Sequence, residues 1–170
     1  MISEQAKQRM RGLAARYPVA RSALLPALHI AQEEEGYITQ DGIEAVAEVL
    51  NLTVDDVKSV ATFYTMYYHR PHGEKVIGVC TSIACYLRGC DQLVEHIENR
   101  LGIKRGETTP DGNFTLECVE CIASCGTAPA MQVNGEFVEN VTPAMIDALL
   151  DELGREIKAK KLEPRTEIHR

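Results

Sequence analysis

Four of the six cysteines stand where a metal centre could use them. Cys80 and Cys85 enclose four residues, Cys121 and Cys125 enclose three, and thirty-five residues separate the pairs. Their neighbours Thr81-Ser82, Ala123-Ser124 and Gly126-Thr127 are small and leave backbone N–H groups available to sulfur. Four thiolates are the ligand set of a [2Fe–2S] cluster, and N–H donors aimed at its sulfurs ease the addition of an electron. On this reading the chain is a one-electron carrier, with Cys80, Cys85, Cys121 and Cys125 holding the metal.

Periodicity sets the other two thiols aside. Cys90 falls in line with Leu93, Val94, Ile97 and Leu101, which predicts the buried face of a helix, where a free cysteine acts as a small hydrophobe. Cys118 alternates with Phe114 and Leu116, which predicts the apolar face of a strand. Spacing alone leaves two rivals open. Zinc also takes four thiolates, and Cys118-x-x-Cys121 has zinc-like spacing, although its use would draw Cys118 off the core face. Thiol–disulfide enzymes favour Cys-x-x-Cys at a helix start, a spacing that Cys80 and Cys85 lack. His29, His69, His72, His96 and His169 are scattered and read as surface or packing residues. No side chain is assigned a catalytic role, and no G-x-G-x-x-G run equips this chain to bind NADH itself.

Composition narrows the class. A net charge of −7 argues against nucleic acid as the partner, since phosphates attract basic surfaces. No apolar run approaches the roughly 20 residues that span a bilayer. Arg9, Arg11 and Arg16 lead into no apolar segment, so secretion is not expected. Without an export signal, cysteines point to metal or redox work before a disulfide frame.

The elements that must position these thiols divide in two. Residues 1–70 read as a helical bundle. Ser3 caps a first helix that carries Leu13 and Ala14 on its apolar side and ends at Tyr17-Pro18. A second helix runs from Ser22 to Glu35 with Gly36 as its stop, and Thr39 caps a third. Thr53 with Asp56 resembles a capping box for a fourth. The aromatic run Phe63, Tyr64, Tyr67 and Tyr68 is a packing seam or, second, a partner surface. Arg70-Pro71-His72-Gly73 is a turn and a domain boundary. Residues 71–153 then read β-α-β-β-α: a strand from Lys75 to Val79, a loop and helix from Ile83 to Leu101, a strand from Asn113 to Val119, a hairpin turning on Asn134-Gly135, and a helix capped by Thr142. That order suits an α+β chain, its helical bundle followed by a thioredoxin-like α/β domain. Pro129, just before a strand, is a candidate for a cis peptide bond. Residues 154–170 read as a charged tail.

At the cysteine segments the sequence resembles a known family. Val79-Cys80-Thr81-Ser82-Ile83-Ala84-Cys85-Tyr86-Leu87-Arg88-Gly89 and Val119-Glu120-Cys121-Ile122-Ala123-Ser124-Cys125-Gly126-Thr127-Ala128-Pro129 are similar to the two cluster segments of the E subunit of NADH:quinone oxidoreductase, the 24 kDa flavoprotein 2 subunit in mitochondria. Leu25-Pro26-Ala27-Leu28, Gln32 to Ile38 and Ala61 to Met66 also match, so the resemblance covers roughly residues 15–153. It implies a thioredoxin-like [2Fe–2S] domain, Cys80, Cys85, Cys121 and Cys125 as ligands, and an F subunit that binds NADH and FMN. It also implies a place in the cytoplasm, peripheral to the inner membrane, and no activity in the isolated chain. Related subunits of NAD-linked hydrogenases and formate dehydrogenases share the pattern. Cys90 and Cys118 stand where the family usually has no cysteine, and Ala123 replaces a usual glycine. The N-terminal helices and the aromatic run are the first candidates for docking.

Overall fold

A computed structural model describes residues 1–162. They form two units that divide between His72 and Gly73; His169 and the end of the expected tail lie outside the described residues. Helices α1 (Glu4–Ala14), α2 (Leu24–Glu35), α3 (Gln40–Leu50) and α4 (Val54–Phe63) build the first unit. Side-chain caps start three of them. Ser3, Thr39 and Thr53 accept the N–H groups of Ala6, Gly42 and Asp56 at 3.1, 2.9 and 3.1 Å, satisfying donors that a helix start leaves unpaired. The Asp56 carboxylate accepts the Thr53 hydroxyl at 2.7 Å. A short 3-10 turn, Ala20–Ala23, precedes α2, so that helix starts two residues later than its pattern suggested. Ala6 and Met10 are the buried residues of α1, and Leu13 and Ala14 lie only at the margin of the core. Leu28, Val46, Val57 and Ala61 fill its centre.

The aromatic run splits. Phe63 is 76% exposed and Tyr64 is also exposed, whereas Tyr67 is buried and donates its hydroxyl to the Leu25 carbonyl at 2.8 Å. Tyr68 donates its N–H to Gln32 at 2.8 Å.

The second unit holds a four-stranded sheet in the order β2-β1-β3-β4: β1 (Lys75–Cys80), β2 (Phe114–Val119), β3 (Met131–Val133) and β4 (Glu136–Val138). β1 and β2 are parallel, and β3 pairs antiparallel with both β1 and β4. A parallel pair needs a crossover, here α5 (Ile83–Leu87) and α6 (Cys90–Leu101). One loop and one helix were expected over this stretch; two helices are found, separated by Arg88 and by Gly89 at φ 89°. Cys90, Leu93, Val94 and Ile97 of α6 join Ile77, Val79 and Leu116 in the core.

The last helix, α7 (Pro143–Leu162), does not stop at residue 153. Ile146, Leu150, Leu153 and Ile157 recur at helical spacing and are all buried, so the apolar stripe carries the helix through Gly154. A helical glycine costs only about 1 kcal/mol relative to alanine. Ion pairs from Lys75 to Glu156 and from Lys160 to Glu74, both 2.8 Å, tie this continuation to the start of β1.

Candidate metal centre

Two strand ends and two loops position the four thiols. Cys80 is the last residue of β1, and its N–H is held by the Ala130 carbonyl at 3.1 Å. Its register partner is Val119, the last residue of β2. Thr81 donates both its N–H, at 3.0 Å, and its hydroxyl, at 3.2 Å, to the Val119 carbonyl. The chain that leaves β2 toward Cys121 therefore starts beside Cys80. The carboxyl ends of parallel strands are where α/β sheets commonly place their sites.

Cys85 lies within α5 rather than before a helix, and both it and Cys80 are buried. Cys121 and Cys125 are exposed on the loop after β2, their sulfurs 3.8 Å apart. Within that loop Ala123 has φ 63°, a left-handed conformation that a side chain makes costly and glycine allows freely. The Ala123 N–H donates to the Cys121 sulfur at 3.4 Å.

The backbones of Ile122 and Ser82 and the side chain of Cys85 lie close enough to the Cys80 thiol to lower its pKa. The Ala130 backbone acts in the same sense on Cys85. Burial alone would push Cys80 up, but these neighbours outweigh it and hold the thiol below its ordinary value. Burial does push Cys85 up, and the neighbouring Cys80 sulfur adds to the effect. Cys125 is raised by its contact with the Cys121 sulfur, and it also feels Cys80. Among the described residues, no three His, Cys, Asp or Glu side chains gather as a group able to hold one ion.

Cys90 is fully buried, in line with its periodicity. Cys118 is a correction: it is exposed, not packed in the core. β2 is an edge strand, and the apolar cover that buries Phe114 and Leu116 gives out at its carboxyl end. Partial desolvation of the Cys118 sulfur still raises its pKa; the Arg105 guanidinium opposes the rise, and Glu98 and Asp91 add to it. Cys118 is also felt by Cys90. His96 pairs with Asp147 at 3.0 Å, His69 bonds the Ala61 carbonyl at 3.0 Å, and His29 and His72 stack near Tyr67 and Tyr68.

Sequence reasoning missed a group that the fold adds. Glu139, just after β4, accepts the hydroxyls of Ser124 at 2.6 Å and Thr127 at 2.8 Å. Nothing local signals this contact, since Ser124 and Glu139 are fifteen positions apart. The Ala128–Pro129 bond is cis.

The chain has known counterparts. Residues 10–154 match the thioredoxin-like [2Fe-2S] ferredoxin family, and the chain belongs to it. It is 46% identical over 138 residues to the E subunit of NADH-quinone oxidoreductase from Mycobacterium tuberculosis, a match covering 81% of this chain and 55% of the relative. The chain thus spans about half the length of the mycobacterial relatives it matches. It is 43% identical over 145 residues to the E 2 subunit of the Rhizobium meliloti enzyme, covering 85% of this chain and 86% of that one. For NADH-quinone oxidoreductase subunit 2 of Thermus thermophilus the identity is 43% over 139 residues, covering 80% and 77%. Among solved structures, an air-oxidized NAD+-reducing [NiFe]-hydrogenase superposes with a TM-score of 0.70 at 23% identity, covering 83% of this chain and 24% of that one, a likeness of fold. No described helix is long and apolar enough to cross a membrane.

Proposed function

We propose that this chain is the one-electron carrier subunit of an NADH:quinone oxidoreductase, with one [2Fe–2S] cluster held by Cys80, Cys85, Cys121 and Cys125. The observation that carries the reading is the register of Cys80 with Val119, locked by the Thr81 N–H and hydroxyl on the Val119 carbonyl, which starts the loop of the exposed second pair beside the buried first pair. Thiolate is the form that binds metal, and a thiolate out of water needs donors; the Ala123 N–H already meets the Cys121 sulfur at 3.4 Å. Two thiol pairs suit two irons, one pair to each. When bound, the cluster supplies a place for a single electron. The chain's own part is to hold four sulfurs, to offer N–H groups against added negative charge, and to keep one pair out of water.

The partner in this reading is an F subunit that binds NADH and FMN, and the electron is exchanged with that flavin. The complex would sit on the cytoplasmic side, peripheral to the inner membrane. Titration with NADH tests the partnership. The isolated protein should keep its visible spectrum when NADH is added, and should bleach when a flavin-bearing F subunit is added as well. Bleaching by NADH alone, or none with the F subunit present, would overturn it. Cys121→Ala should abolish iron retention; full iron in that variant would contradict the ligand assignment.

A further inference from the structure

The two thiol pairs are held by different means. Cys80 and Cys85 are buried and built into β1 and α5. Cys121 and Cys125 are exposed, on a loop with a left-handed alanine at its centre. A loop of that kind opens readily unless something ties it down. The tie comes from across the hairpin. One oxygen of Glu139 accepts the Ser124 hydroxyl at 2.6 Å and the Thr127 hydroxyl at 2.8 Å, and the two hydroxyls lie 2.7 Å apart. Ser124 sits between the two cysteines and Thr127 just beyond them. A backbone bond backs the contact, the Asn140 N–H donating to the Thr127 carbonyl at 2.8 Å. Hydrogen bonds from Ser124 and then Thr127 hold the Glu139 carboxyl below its ordinary range, so it is an ionised acceptor at neutral pH.

We infer that Glu139 is a positioning residue for the candidate metal centre: through Ser124 and Thr127 it clamps the loop that presents Cys121 and Cys125. This rests on the ligand reading above. The role requires an acceptor oxygen at this place rather than a charge for its own sake, since a carboxylate beside an electron store is otherwise unhelpful. Gln should therefore substitute and Ala should not.

The experiment follows iron release from the oxidised holoprotein to a chelator, with the EPR spectrum of the reduced protein as a second readout. Glu139→Ala, which removes both hydroxyl contacts, should release iron about tenfold faster, and should alter the g-values. Glu139→Gln should behave as the parent on both counts. The double change Ser124→Ala with Thr127→Val should reproduce Glu139→Ala. Urea unfolding followed by far-UV circular dichroism should be the same in all of them. Parental release and spectrum in Glu139→Ala, failure of Gln to rescue, or faster release that tracks a lower unfolding midpoint would each overturn the clamp. A parent protein without iron would instead defeat the ligand reading on which the clamp depends.

Discussion

Replacing Cys90 by alanine separates packing from ligation at a site where both are chemically open. Cys90 is 0% exposed and opens α6 against Leu93, Val94 and Ile97. The change deletes one sulfur atom. The void it leaves, of roughly 20 Å3, costs about 0.5 kcal/mol, and the lost transfer free energy adds a similar amount. Alanine's better helix propensity returns a few tenths of a kcal/mol. The net loss is about 1 kcal/mol, which in a unit of this size lowers Tm by roughly 4–8 °C. Iron and labile sulfide should not change. Chemical iron analysis, the visible spectrum and thermal unfolding of the holoprotein, read on the same samples, give all the terms. Loss of iron from Cys90→Ala would refute the reasoning, because it would place a core thiol among the ligands. Cys118→Ala, on an exposed residue, should keep its iron and change stability by less than about 0.5 kcal/mol.

Three further outcomes follow from particular contacts. Ala123→Gly removes the left-handed strain at φ 63° and should raise the stability of the holoprotein by on the order of 0.5–1 kcal/mol in urea unfolding, after the extra freedom of glycine in the unfolded chain is set against it. Glu98 is held at about 2, below its ordinary 4.5, first by the Arg105 N–H and then by Lys104. Its contribution is therefore present above pH 4.5 and lost as pH falls toward 2, so Glu98→Gln should be less stable than the parent at pH 7, with the gap closing below pH 4.5. In the first unit Tyr67→Phe strips the Leu25 carbonyl of its donor and should cost about 1–2 kcal/mol in urea unfolding at pH 7. Burial pushes the Tyr67 hydroxyl up from 10 to about 12, so that difference should hold below pH 10 and shrink as the pH rises through 12.

What was legible in the sequence was what local chemistry decides. Ser3, Thr39 and Thr53 start helices because a short polar side chain must meet the unpaired N–H groups there. Asn134-Gly135 turns a hairpin because both residues accept positive φ. The two cysteine pairs stood out because small residues surround them. What was hidden depends on neighbours far along the chain. Cys118 shares a strand face with Leu116, but how far along β2 that face is covered depends on elements packed from elsewhere in the chain, and the cover ends before Cys118. Residues from Gly154 on read as a tail because of their charge; Leu153 and Ile157 carry the helix onward by packing into a core that other elements build. The Glu139 contact could not be read for the same reason, since only the hairpin brings it to Ser124 and Thr127.

The central claim is that four thiols, converging from two segments, hold two irons and one exchangeable electron. Metal and sulfide analysis of anaerobically purified protein, paired with EPR before and after dithionite, tests it directly. The account predicts two irons and two labile sulfides per chain, no signal when oxidised, and a single spin-half signal on reduction. A colourless protein carrying one zinc and no sulfide would contradict it.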